Sequence, residues 1–285
     1  MIKGFKTYNK EELFQMIDTI EIIKVADQVV TKYMGRVINT TTVTNRYEIF
    51  DIRSFLKAKI SHISSNFNIS FYRFVMKRGT QQLTLLSEPV IINDAEYYKS
   101  FFILNSTDKS RKLNMNLGLY RGDNNIYFVY SGINNMSVCK KHLKGITQVA
   151  EEASESIDGE TFDEQINSIK SLVGERVMLS KVREILVDKD QQVNHRKFDA
   201  FKNQLLYAKL GLTREQDTLL RTKSESMSIS NTNDFSIDAY VVFNLYMGLF
   251  RNLDSYLVRK ETERITKITQ CFVRNEKLDL LLDLI

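Results

Sequence analysis

Tryptophan is absent from this chain, proline occurs once, at Pro89, and there are only two cysteines and three histidines in 285 residues. Each scarcity removes a class of chemistry. Cys139 and Cys271 form no spaced metal pattern and read as reduced intracellular thiols rather than a secreted disulfide framework. His62, His142 and His195 fall on different predicted helices without HxxxH, HxH or CxxC spacing, so a zinc site is not expected. The eleven glycines stand singly at element ends, which leaves no GxGxxG or GxxxxGK[ST] loop to cradle a phosphate. No GxSxG elbow occurs, and Cys139 beside Lys140, Lys141 and His142 would sit on a helix whose successive side chains diverge. No run of eighteen apolar residues and no basic-flanked apolar leader at Met1 is present, so neither export nor a membrane span is expected. The expectation is a cytoplasmic, non-enzymatic protein with no cofactor and no metal.

What the chain does have is an uneven charge and a concentrated stretch of sheet signal. Up to Thr147 there are 21 Lys+Arg against 12 Asp+Glu; the remainder has 19 against 23. A basic half of this kind raises the local concentration of a polyanion. Within it, Phe101 to Gly132 combines apolar alternation, cations and aromatics. Leu113, Met115, Leu117 and Leu119 fall at every second position, which predicts a half-buried strand with Lys112, Asn114, Asn116, Gly118 and Tyr120 on the solvent face. Asn105 to Arg111 has the composition of a turn with Lys109 and Arg111 at its tip, and Gly122 to Asn125 reads as a second turn before a strand from Ile126 to Tyr130. The alternative reading is an ordinary half-solvated sheet with surface lysines.

Taken in order, Lys10 to Met34 reads as a first helix with Asn9 as its cap and Gly35 as its end. Val37 to Val43 is extended, and Ile52, Phe55, Leu56, Lys59, Ile60 and Ile63 stripe a second helix that starts near Asp51. Asn66 to Lys77 predicts a central strand, turned by Gly79-Thr80 into Gln82 to Ser87; Pro89 is expected to end that strand, with a short one at Val90 to Asn93. From Val138 onward the pattern predicts helices: Val138 to Ser156, Asp163 to Leu172, Glu175 to Val187, His195 to Leu210, Thr213 to Leu220, Ile237 to Tyr256 and Arg259 to Arg274. A Ser/Asn-rich segment, Thr222 to Ser236, interrupts them. The expected fold class is therefore α+β: an antiparallel β-meander flanked by helices over residues 1–150, then a mostly helical region over 151–285.

The chemistry that such a chain can organise is cationic and aromatic, which suits single-stranded nucleic acid. Cations follow phosphates, and exposed rings stack on bases at about 1–3 kcal/mol each. On this reading Arg73, Lys77, Arg78, Lys109, Arg111, Lys112 and Arg121 meet the strand, with Tyr72, Tyr120 and Tyr127 as stacking candidates. The final residues, KLDLLLDLI, place Asp279, Leu282, Asp283 and Ile285 on a short apolar and acidic tip suited to a protein partner or to packing on the core. Two other classes stay open: a virion or assembly component that contacts only protein, and a metal-dependent nuclease built on Asp94, Glu96 and Asp108 with Lys109 stabilising charge.

Three local motifs carry a resemblance. Thr44-Asn45-Arg46-Tyr47 before a helix, Asn105-Ser106-Thr107-Asp108-Lys109-Ser110 between strands, and Leu119-Tyr120-Arg121 followed by Val138-Cys139-Lys140 resemble a prophage-borne domain family of unknown function over residues 37–150. Asn45 and Lys109 replace that family's usual Asp and Gly, and the cysteine stands well after Arg121. In size and overall character the chain is also similar to the single-stranded-DNA-binding RNA polymerase cofactors of podoviruses. That resemblance implies an infected-host cytoplasm, binding at melted promoters and a phage RNA polymerase as partner; whether the chain forms a homo-oligomer stays open.

Overall fold

The computed structural model describes residues 2, 4–44, 49–107, 113–122, 126–128, 137–140, 159–186 and 236–244. The chain divides into two compact units, Met1–Phe162 and Asp163–Ile285. The architecture is α+β, a mostly antiparallel sheet core with a few helices.

In the first unit, Asn9 caps α1 (Lys10–Asp18) by accepting the Glu12 N–H at 3.0 Å. The helix is far shorter than expected. Thr19 closes it, donating its hydroxyl to the Met16 carbonyl, and β2 (Ile20–Val25) and β3 (Gln28–Tyr33) follow as a hairpin. Leu13, Ile17 and Ile20 continue into Val25 and Val29 at near-helical intervals, but Ile22, Ile23, Val29, Val30 and Thr31 are β-branched and favour the pleat. β4 (Arg36–Thr42) completes a three-stranded sheet, β2-β3-β4. Met34 and Gly35, both at positive φ, form its second turn.

Asp51 caps α2 (Ile52–Asn66), and the whole expected stripe from Ile52 to Ile63, Lys59 included, is buried. The large sheet follows: β5 (Ile69–Lys77), β6 (Thr80–Ile92), β7 (Ala95–Ser106), β8 (Leu113–Arg121), β9 (Ile126–Phe128) and β10 (Ser137–Lys140), with β1 (Lys6–Thr7) on the β5 edge. Its order is β1-β5-β6-β7-β8-β10, and β9 also pairs with β8. Pro89 does not end β6. The ladder to β7 shifts register between Leu86 and Pro89, so the residue without an N–H is accommodated at a bulge and the strand runs on to Ile92. Nor does the sheet stop at Val138: Ser137–Lys140 pairs antiparallel with β8, so Cys139 lies on a strand opposite Asn114 rather than on a helix.

The two faces of this sheet follow from register. One carries Tyr72, Phe74, Leu83, Leu85, Phe101, Ile103, Met115 and Leu117. Phe101 packs on Phe67, just beyond α2, at 4.8 Å and on Phe162 at 5.4 Å between ring centroids. Each such buried ring contributes roughly 1.5–3 kcal/mol by area, and each well-placed ring pair about 0.5–1.5 kcal/mol more. The opposite face carries Phe71, Arg73, Gln82, Thr84, Leu86, Tyr98, Ser100, Phe102, Leu104, Gly118 and Tyr120. It is not a solvent face: Ser100, Phe102, Leu104, Gly118 and Tyr120 are all buried. Phe71 touches Tyr98 at 5.9 Å, Tyr98 touches Tyr120 at 6.2 Å, and Phe5 closes on Tyr120 at 5.3 Å. Rings from β5, β7 and β8 converge there with the segment before β1, so the sheet curls around this face.

In the second unit, residues 163–171 of α3 (Gly159–Ser171) lead through Gly174, at positive φ, into β11 (Arg176–Met178) and α4 (Leu179–Leu186). A helix was expected from Glu175; instead Arg176–Met178 pairs antiparallel with β12 (Ser236–Asp238), and Arg176 donates two hydrogen bonds to Ser236. Asp238 caps the helical residues 239–244 by accepting the Val241 N–H at 2.9 Å. Ile166, Leu172, Val177, Val182, Ile237, Tyr240 and Phe243 are buried. The helices expected at His195 to Leu210, Thr213 to Leu220 and Arg259 to Arg274, and the tip with Asp279, Leu282, Asp283 and Ile285, lie outside the described residues. No helix among the described residues is long and apolar enough to cross a membrane.

Candidate nucleic-acid interface

Among the described residues, an exposed cation marks the turn between β5 and β6. Lys77 pairs with Thr80 across it, and Arg78 and Gly79 both take positive φ, 48° and 76°. This is the two-residue hairpin turn whose twist matches the strands, normally occupied by Asn-Gly or Asp-Gly. Arg78 is exposed and adopts a left-handed backbone that costs an L-residue roughly 1–2 kcal/mol relative to glycine.

A buried polar network fixes the turn. The Gly79 carbonyl accepts from the Thr107 N–H at 2.8 Å, the Thr107 hydroxyl at 3.1 Å and the Gln81 amide at 2.7 Å. Asn105 in turn donates to Gln81 at 2.6 Å, and the Thr31 and Thr107 hydroxyls share a 2.6 Å bond that ties β3 to the end of β7. Asn39 of β4 closes on Gly79 so tightly that a Cβ there would stand 2.8 Å from its amide nitrogen. Asn105, Ser106 and Thr107, expected in an exposed turn, are thus buried structural groups.

Because antiparallel turns alternate between sheet ends, the β5–β6 turn and the two ends of the segment between Thr107 and Leu113 emerge on the same side. Lys109, Arg111 and Lys112 belong to that segment and lie outside the described residues, but Thr107, one residue before it, is hydrogen-bonded to Gly79. Arg121 is elsewhere. Tyr97 pairs with Arg121 and Ser106 with Thr80, nine residues apart along β7 and about 30 Å at the rise of a strand. Arg121 lies over the Tyr97 ring at 5.8 Å, on the opposite face from Tyr120. Arg73 is half-buried beside Gly4.

Two of the three expected stacking rings are not available. Tyr72 is 1% exposed, with its hydroxyl at the Met16 sulfur and the Lys6 ammonium 6.0 Å from its ring. Burial, with help from Glu12, raises its phenol above the ordinary value. Tyr120 is also 1% exposed, packed between Phe5 and Tyr98. Neither ring can take a base without unfolding the core. Asn and Gly neighbours suggested a solvated face, but the sheet curls and buries it. Tyr127 pairs with Tyr120 through the backbone; its side chain lies outside the described residues.

Sequence reading missed one aromatic and cationic arrangement. Phe14 of α1 is half-buried, with Lys10 at 5.5 Å and Lys57 at 5.4 Å from its ring. The Lys10–Phe14 spacing of four residues on a helix was the available signal. Lys57 is paired with Asp18, and Lys6 with Glu12 at 2.6 Å, so this patch is electrostatically mixed.

Of the three carboxylates considered for metal chemistry, two are described and Asp108 lies outside the described residues. Asp94 sits at positive φ in the β6–β7 turn, and Glu96 accepts the Tyr98 hydroxyl. Among the described residues no cluster of three His, Cys, Asp or Glu could hold a metal ion. Comparison with family models, curated proteins and solved structures finds no match to this chain.

Proposed function

We propose that the chain is a sequence-tolerant binder of single-stranded DNA whose contact surface is the turn end of the large sheet. The observation that supports this most is the Thr107–Gly79 hydrogen bond. It brings the base of the segment with Lys109, Arg111 and Lys112 against the strained, exposed Arg78 and its neighbour Lys77. Lys77 and Arg78 stand at the end of a rigid polar floor, the segment that starts beside them carries three further cations in its sequence, and phosphate attraction supplies the affinity. The stacking part of the reading no longer rests on Tyr72 or Tyr120. In the phage setting that the sequence resemblance implies, such a protein acts as a transcription cofactor at melted promoters, with a phage RNA polymerase as partner.

The test is a comparison of two equal charge losses. Arg78→Asn weakens oligothymidylate binding several-fold and lowers its salt slope, whereas Arg121→Ala leaves both unchanged. Equal effects from the two ends would refute the assignment of the turn end.

A second reading, a protein-contacting assembly component, is favoured by one observation. The outer face of the three-stranded sheet exposes Ile23, Val25 and Val37, the last two at 63% and 59%. Such a component would sediment as a defined oligomer and show no salt-dependent oligonucleotide binding.

A further inference from the structure

The curled face of the large sheet contains polar groups that its own packing does not satisfy. Gln82 Nε2, Thr84 Oγ1 and Ser100 Oγ are buried and have no hydrogen-bond partner. Their residues are 2%, 0% and 1% exposed. Gln82 and Thr84 are two apart on β6, and Ser100 lies diagonally across on β7, because Leu86 pairs with Ser100 and Thr84 with Phe102. All three therefore point to one face, with Cβ atoms within roughly 5–8 Å of their neighbours.

A buried polar atom left unpaired costs about 1–3 kcal/mol, and three on adjacent positions of one face are not an accident of a single rotamer. Arg73 stands directly across the ladder from Thr84, on the same face, with its guanidinium 3.9 Å from where a Cβ on Gly4 would lie. Gly4 takes a φ of +84°, and Phe5, next to it, seals the same face against Tyr120.

The chemistry of this set is one-sided. The amide nitrogen and guanidinium only donate hydrogen bonds, and both hydroxyls can donate. The carboxylate that this face carries on β7 is Glu96, four residues along the strand from Ser100 and engaged by the Tyr98 hydroxyl, and β5 and β6 add none from Phe71 to Lys77 or from Thr80 to Leu86. A donor set with one cation and no acid matches an acceptor-rich, negatively charged ligand of small size.

We propose that this face binds a small oxyanion, with inorganic phosphate the simplest case, held by Arg73, Thr84, Ser100 and Gln82. The site is independent of the DNA-binding reading. Atoms this deeply buried are out of reach of phosphates in a polymer strand, so the ligand is a free small anion.

The experiment is a calorimetric titration of the full chain with sodium phosphate, against sodium chloride at equal ionic strength. Wild type is expected to take up one phosphate per chain, saturably, with a rise in the unfolding midpoint that chloride does not give. Thr84→Val, Arg73→Met and Ser100→Ala each weaken the uptake at least about tenfold. Arg53→Met, remote on α2, leaves it unchanged. If Thr84→Val does not fold, Ser100→Ala removes only a hydroxyl and reads the same site. Oligothymidylate does not displace the phosphate. The proposal is overturned if wild type shows no uptake beyond chloride, if the variants bind as wild type does, or if oligothymidylate competes.

Discussion

Replacing Gly79 with alanine tests whether the basic turn is held as rigidly as the polar network implies. Two costs add. The first is backbone: at φ +76° an L-residue loses roughly 1–2 kcal/mol relative to glycine. The second is space, since the new Cβ would stand 2.8 Å from the Asn39 amide nitrogen and 3.0 Å from the Thr107 hydroxyl. Asn39 Nδ2 has no partner to lose, but Thr107 moves only by giving up bonds to Thr31 and to the Gly79 carbonyl. Each of those contributes about 0.5–1.5 kcal/mol. The expected loss for Gly79→Ala is thus about 3 kcal/mol, or roughly 6–12 °C in the midpoint for a unit of this size. Differential scanning calorimetry measures it. Adding Asn39→Ala opens space beside the Cβ, so the double variant recovers part of the steric cost and keeps the backbone part. A Gly79→Ala protein within about 0.5 kcal/mol of wild type, or no coupling to Asn39, would refute this picture of the turn.

Other expected outcomes are independent of that network. Arg78→Asn puts the preferred residue at the first turn position, so stability rises by up to about 1 kcal/mol while single-stranded DNA binding weakens. Opposite signs in unfolding and binding assays distinguish this from general destabilisation. Asp51→Ala removes the acceptor of the Ser54 N–H and hydroxyl bonds at the start of α2 and costs about 1 kcal/mol by denaturant titration. Burial tends to raise the Asp51 carboxyl, but the Ser54 bonds and the Arg53 charge outweigh it and hold it below the usual value. Its contribution is therefore complete above the unfolded carboxyl's range and fades as pH falls through the lowered native value; Asp51→Asn flattens that acid limb. Burial, then the Glu96 hydrogen bond, raises the Tyr98 phenol. Its stabilisation is whole below the ordinary tyrosine value and declines as pH rises towards the raised one, so Tyr98→Phe flattens the alkaline limb of stability.

Part of this fold was legible in the sequence, and the limits have physical causes. The α2 stripe is long enough at a 3.6-residue period to be unambiguous, and even Lys59 falls in its buried row because its stem packs under the fold with its ammonium 5.3 Å from the Phe55 ring. The β2–β3 hairpin was hidden because Leu13, Ile17 and Ile20 extend a helical interval across Thr19, where the chain changes state. Pro89 looked like a strand end, since a bulge that admits proline depends on a partner strand far along the chain. The cations of the candidate site were visible as residues but not as a surface. Only hairpin alternation shows that Arg78 and the start of the Lys109 segment share one sheet end while Arg121 sits at the other. Tyr120 was misread for a related reason: it alternates with leucines as a solvent-facing residue would, and only the curl of the sheet onto Phe5 buries it.

The most direct test of the functional account is a fluorescence titration of labelled oligothymidylate and of duplex of equal length, each at two salt concentrations. Tighter binding of the single strand is expected, with log K falling against log salt at about −0.7 for each phosphate neutralised. Equal affinity for the two forms, or no binding at low salt, would contradict it.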